Sequence, residues 1–190
     1  MSDADTARAA FAESAALMTA MADERVEATV RAAGVIRGAL EAGGTVLAFG
    51  NGGSATDAEH LAAELVGRFR ADRPGLAAVA LTADSAVVTS VANDYGFDHV
   101  FRRQVEALGR PGDVAVAITT SGASPNVNLA VAAARARGLV TIGLTGRDGG
   151  ETGGLVDVHV NVPSADTARV QEAHRAVLHV ICELVEKPRA

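Results

Sequence analysis

Apolar positions recur at two spacings along this chain. Over residues 3–20 and 24–42 they return at helical intervals: Ala9, Phe11, Ala15, Leu17 and Met18 first, then Val26, Val30, Ala33, Val35, Ile36 and Leu40. Two amphipathic helices are expected there, the second stopped by Gly43-Gly44. Beyond them, short apolar runs rich in alanine and β-branched residues stand at 45–49, 77–81, 114–118, 139–144 and 156–162. Helix-compatible stretches separate these runs, at 55–68, 84–92, 97–108, 125–137 and 165–186. Asn93-Asp94-Tyr95-Gly96 reads as the break between 84–92 and 97–108, and Thr145-Gly146-Arg147-Asp148-Gly149-Gly150 as a loop. Pro125 is placed like a first helical residue. Short apolar strands alternating with helices predict an α/β protein with a five-stranded parallel sheet covered on both faces. No linker, composition shift or internal repeat divides the chain. Its 190 residues suit one domain, 1–190, with 1–43 as a leading helical pair.

Two strand ends carry candidate chemistry. After 45–49 come Gly50-Asn51-Gly52-Gly53-Ser54 and at once a helix. Glycines allow close backbone approach, and the first free N–H groups of the helix attract an anion. Asn51 and Ser54 add side-chain donors suited to a phosphate or a sugar hydroxyl. The loop is neither GxGxxG nor a P-loop, and a tight strand-to-helix turn with no ligand would read the same. His60 and Glu64 follow four residues apart, so they share a helix face. That pair suits metal ligation or proton transfer, or else is a solvated helical pair. The run at 114–118 ends in Thr119-Thr120-Ser121-Gly122-Ala123-Ser124, a hydroxyl-rich turn that also opens a helix. Two such loops would gather at the carboxyl edge of the sheet, where open α/β sheets bind ligands. In the last helix, Gln171, His174 and His179 interrupt the core-like positions Val170, Val177, Leu178, Ile181 and Leu184. Polar groups there need partners. His99 and His159 lack such a context and read as surface or structural.

Composition narrows the classes. Aromatics make up only 3% of the residues, so the core is built from small side chains that favour close helix packing and association. Net charge −6 argues against a nucleic-acid partner held by a basic field, while local dipoles still permit a phosphorylated ligand. A single cysteine, Cys182, excludes an intrachain disulfide and cysteine zinc clusters, and its apolar setting suggests a buried structural thiol. The amino terminus lacks a basic segment before an apolar core, and no apolar run is long enough to span a membrane. A cytoplasmic protein is expected.

The ordered stretches GNGGSATDAEHLAAELVGRFRADRPG, VANDYGF, TTSGAS and RVQEAHRAVLHVI resemble the phosphoheptose isomerases of the sugar-isomerase (SIS) superfamily, over nearly the whole chain. The resemblance implies a three-layer α-β-α sandwich of flavodoxin-like SIS type, a homotetramer, and interconversion of sedoheptulose 7-phosphate with D-glycero-D-manno-heptose 7-phosphate. It also implies roles. Asn51, Gly52, Gly53, Asn93 and Asp94 match substrate-binding positions. Thr119, Thr120, Ser121 and Ser124 match the phosphate loop, with Ser54 nearby. His60, Glu64, Gln171 and His179 match a catalytic set that carries Zn²⁺, one per subunit, with Glu64 and His179 as the acid/base pair; Glu64 and Gln171 also meet substrate. Two departures stand out: Thr119 replaces a common serine, and Ala168 stands where some members have an acid, a role Asp166 could take over.

The chemistry suits these residues. Aldose–ketose isomerisation through an enediol(ate) needs acid/base groups for carbon and oxygen protons, and a stabiliser for the oxyanion. Gln171 and His179, however, lie roughly 12 Å apart along a regular helix at 1.5 Å per residue. Either the helix is irregular at its start, or the site gathers residues from more than one subunit. The rival reading is a non-catalytic phosphosugar-binding relative of the replication-initiator-associating type, which would lack the acid/base pair. An isomerase for another phosphosugar is a third.

Overall fold

The computed structural model describes residues 1–187; residues 188–190 of the expected domain lie outside the described residues. Helices α1 (Asp3–Glu24) and α2 (Val26–Glu41) lead the chain. A capping box at Ser2 starts α1, its hydroxyl accepting the Asp5 N–H while the Asp5 carboxylate accepts the Ser2 N–H. The sheet follows as β1 (Val46–Gly50), β2 (Ala78–Ala80), β3 (Val114–Thr119), β4 (Val140–Thr145) and β5 (Val158–Asn161). All pairings are parallel and the order is β2-β1-β3-β4-β5.

Among the described residues six further α-helices connect and close the sheet: α3 (Gly53–Val66), α4 (Ser85–Tyr95), α5 (Val100–Leu108, entered through a 3-10 turn at Phe97–His99), α6 (Pro125–Ala136), α7 (Gly150–Leu155) and α8 (Thr167–Glu186). Strand alternation sorts two cores. Val46, Ala48, Val114, Val116, Ile142 and Leu144 face α2, α3 and α8, burying Ile36, Leu61, Leu65, Leu178 and Ile181. Leu47, Phe49, Ala115 and Ala117 face α5 and α6, with Phe101, Val105, Val127 and Val131. The predicted three-layer α-β-α sandwich with its five-stranded parallel sheet and two leading helices is the observed architecture.

Four local expectations are corrected, one of them the fifth strand, expected over 156–162 and observed as Val158–Asn161. Asn93 and Asp94 are not in a break: Asp84 caps α4 through the Ala86 and Val87 N–H groups, and the helix runs on until Gly96, at φ 89°. Residues 150–155 form α7 despite three glycines. Tertiary bonds override propensity there, Thr152 giving its N–H and its hydroxyl to Gly122 O and the hydroxyl also to Asn128 Oδ1. The second strand shrinks to three residues because β2 is a sheet edge with one partner.

Candidate active site

Connections leave β1 toward β2 and β3 toward β4, so the strand order reverses between the neighbours β1 and β3. The crevice outside the carboxyl ends at such a reversal is the usual ligand site of an open parallel sheet. Both hydroxyl- and glycine-rich loops open there. They are tied together by a reciprocal amide pair, Asn51 Nδ2 to Asn126 Oδ1 at 2.9 Å and Asn126 Nδ2 to Asn51 Oδ1 at 2.8 Å. Asn51, Ser54, Ile118, Thr119, Thr120, Ser121, Ser124 and Gln171 line a small recess between the loops. The Thr119 hydroxyl is 3.1 Å from that of Ser124 and 3.4 Å from that of Ser121. Neither α3 nor α6 has a side-chain cap; the Ser54, Ala55 and Val127 N–H groups turn back to Asn51 O, Gly52 O and Ser124 O, which leaves the Gly53 and Asn126 N–H groups at the two helix N-termini for this crevice. The recess is polar, neutral in side-chain charge and positively biased by two helix ends, which is what a phosphate needs.

A second cluster lies farther along α3 and α8. His60 Nε2 is 2.9 Å from His179 Nε2 and 3.4 Å from Glu64 Oε1. All three side chains are partly exposed and reachable from solvent. Burial, and then the nearby Arg175 cation, hold the His60 imidazole below its ordinary range, so it is neutral at pH 7. Phe69 stacks on His179 with ring centroids 5.5 Å apart. Phe69 is in turn held by Glu186, whose carboxylate accepts the N–H groups of Phe69, Arg70 and Ala71 at 2.9–3.0 Å and the Arg73 Nε at 3.1 Å. Burial opposes ionisation of Glu186, yet these donors hold its carboxyl at about 2.

Gln171 does not join that cluster. Helix α8 is continuous from Thr167 to Glu186, and the Gln171 amide lies where a side chain on Gly53 would stand, lining the recess instead. Of the two alternatives, the irregular helix start is absent, and one chain brings together His60, Glu64 and His179 only. Among the described residues no group of three or more His, Cys, Asp or Glu side chains is arranged to hold a metal ion. Asn93 and Asp94 are exposed, bond to each other at 2.7 Å and line neither site. Asp166 caps α8 through the Ala168 and Arg169 N–H groups, so it does not stand in for an acid at position 168. His174 is fully buried with Nε2 3.0 Å from Thr145 O, and burial pushes its imidazole down to about 4. His159 bonds the Thr145 hydroxyl at 2.6 Å. Cys182 is 1% exposed, and burial, reinforced by Glu64 and Glu186, pushes its thiol up to about 12.

Sequence reasoning missed Asn126, Phe69, Glu186 and the pair Asp57–Arg175, joined at 2.7 Å between the two clusters. Only the last had a readable signal. Asp57 and Arg175 fall on the helix faces already marked by His60 and Glu64 and by Gln171 and His179.

The fold and this crevice define an α/β protein built to hold a phosphorylated small molecule beside imidazole and carboxylate groups. The SIS domain family model matches residues 11–146, and the chain belongs to that family. Within it the chain belongs with the phosphoheptose isomerases. It is 57% identical to one from Geobacter metallireducens over 82% of each chain, and 51% identical to one from Burkholderia pseudomallei over 93% of this chain and 90% of that one. The solved phosphoheptose isomerase of Neisseria gonorrhoeae superposes with TM-score 0.93 at 47% identity, covering 97% of this chain and 99% of that one. That of Francisella tularensis gives 0.96 at 37%, covering 99% and 100%.

Proposed function

We propose that the chain interconverts sedoheptulose 7-phosphate and D-glycero-D-manno-heptose 7-phosphate. The observation that carries this is the meeting of His60, Glu64 and His179 beside a hydroxyl-lined crevice at the sheet reversal, in a chain with phosphoheptose isomerases as relatives. Hydroxyls of Ser54, Thr119, Thr120, Ser121 and Ser124, with the N-termini of α3 and α6, hold the phosphate. Asn51, Gly52, Gly53 and Gln171 border the sugar; Asn93 and Asp94 would reach it only from a neighbouring subunit.

Glu64 removes a proton from C1 of the ketose, and the electron pair forms the C1–C2 double bond of an enediolate. His179 gives a proton to O2 and takes one from O1, and Glu64 returns its proton to C2, which leaves the aldose. Neutral His60, 2.9 Å from His179, orients that imidazole. Zn²⁺, one per subunit, enters the proposal through the resemblance. Of its expected donors, His60, Glu64 and His179 meet without the arrangement of a metal-holding group and Gln171 stands apart, so no step above runs through it. When bound it would polarise the sugar carbonyl. Metal analysis of the purified protein and of His60→Ala tests it; zinc far below one per subunit in both would remove it.

A homotetramer and a cytoplasmic location belong to the same proposal. The exposed apolar side chains Phe11, Val26, Val30 and Val180 on α1, α2 and α8 support association. Among the described residues no helix is long and apolar enough to cross a membrane. The decisive assay incubates the protein with sedoheptulose 7-phosphate and follows aldose phosphate formation. Absence of turnover, or faster turnover of a shorter ketose phosphate, would overturn the assignment.

A further inference from the structure

We propose that Arg175 is a further catalytic residue, its guanidinium donating to the sugar oxygen that becomes anionic in the enediolate. The inference rests on the isomerase reading above and assigns that reaction its electrophile. Helices α3 and α8 face each other as a ladder of matched positions. The Gln171 amide lies against Gly53, Arg175 Nη2 is 2.7 Å from Asp57 Oδ1, and His179 Nε2 is 2.9 Å from His60 Nε2. The first rung borders the phosphate recess and the last is the acid/base set. A sugar phosphate that reaches from one to the other crosses the middle rung.

Distances decide which part of the sugar that rung meets. Arg175 stands roughly 6 Å and His179 roughly 12 Å beyond Gln171 along α8, at 1.5 Å per residue. In an extended seven-carbon chain, C2 lies five bonds from the phosphate-bearing carbon, roughly 6 Å with bonds near 1.5 Å. The C2 oxygen therefore comes level with Arg175, and C1 lies one bond farther on, toward the His60–Glu64–His179 set.

The rung is also built to hold a cation in place. Asp57 is only 3% exposed, whereas the Arg175 side chain is 34% exposed and lines an open recess with Gly53, Thr56, Gln171 and Glu172. The buried carboxylate engages one edge of a five-donor guanidinium and leaves the others for a ligand.

The test is steady-state kinetics on sedoheptulose 7-phosphate with Arg175→Met, Arg175→Lys and Arg175→Ala. One lost oxyanion donor costs ~10²–10³ in kcat, so Arg175→Met should fall by that factor with KM nearly unchanged. Arg175→Lys should recover part of the loss, and added guanidinium should partly restore Arg175→Ala but not Glu64→Gln. If Arg175→Met fails to fold around an unpaired Asp57, the double variant Asp57→Asn/Arg175→Met carries the same expectation. A rise in KM at unchanged kcat would make Arg175 a mid-chain hydroxyl contact and overturn the proposal. So would a folded double variant with near-parental kcat, which would reduce the pair to a structural bridge. Failure of the parent protein to turn over sedoheptulose 7-phosphate would overturn the isomerase reading itself; near-parental Arg175 variants beside an active parent would overturn this inference alone.

Discussion

Replacing Glu186 by glutamine should destabilise the fold in a way that pH switches off. The Glu186 side chain is 6% exposed, and its two oxygens accept three backbone N–H groups and the Arg73 Nε. Burial works against the charge, but these donors win and hold the carboxyl at about 2, against 4.5 for an unperturbed one. A drop of that size corresponds to about 3 kcal/mol of folding stability at neutral pH. The sign follows from the depressed folded value. The contribution is fully present above the unfolded pKa near 4.5, and it is lost as pH falls through about 2, because the unfolded chain binds the proton first. Urea unfolding at one protein concentration should therefore show Glu186→Gln less stable than the parent by about 2–3 kcal/mol at pH 7. The gap should narrow below pH 4.5. Turnover should fall as well, since Phe69, released from Glu186, no longer fixes the face of His179. A gap that stays constant from pH 7 to pH 3, or one under about 1 kcal/mol at pH 7, would refute the clamp.

Glu64→Gln should abolish turnover while leaving substrate binding and thermal stability near parental, read by kinetics and calorimetry; activity within a few-fold of the parent would remove Glu64 as the carbon base. His179→Ala should lose ~10²–10⁴-fold in kcat without a matching loss of stability, because the imidazole is partly exposed. Ser121→Ala and Ser124→Ala should mainly raise KM, since a phosphate hydroxyl contact serves ground and transition states alike. Gly122→Ala should be poorly folded or severely destabilised in a thermal melt: Gly122 sits at φ 66°, and a methyl there would strike the Gly149 carbonyl.

The sheet was legible because its signal is local and repeated. Each buried strand is a short apolar run, and all but β4 and β5 are separated by helices long enough to show their period. Where local signals and tertiary bonds disagreed, tertiary bonds won. Helix α7 exists because Thr152 is anchored to Gly122 and Asn128, which no pattern in its glycine-rich sequence announces. Helix α4 swallows Asn93 and Asp94 because the residue that ends it is Gly96, while turn-forming side chains inside a capped helix lack the backbone conformation to stop it. The hydroxyl loops were readable for the same reason as the strands: a strand end, a cluster of Gly, Ser and Thr and a helix start are neighbours in sequence.

The rest of the site is made of pairs distant along the chain, and a helical period predicts which residues share a face without saying what that face meets. Asn51 and Asn126 are 75 residues apart, and Glu186 reaches its backbone donors across more than a hundred. Gly53 shows the limit most clearly. In sequence it reads as conformational freedom for a phosphate loop, yet the left-handed backbone in this turn belongs to Gly52, at φ 57°. Gly53 is already the first residue of α3, and what its missing side chain supplies is room. The Gln171 amide occupies that space, which turns it to the recess between the two loops and away from His179. The four-residue set expected from the motifs therefore splits into a glutamine at the recess and the His60–Glu64–His179 trio, and the position between them falls to Arg175 and Asp57. A motif match can mark each of those helices as functional. Only the packing of one against the other determines which side chains meet at each level.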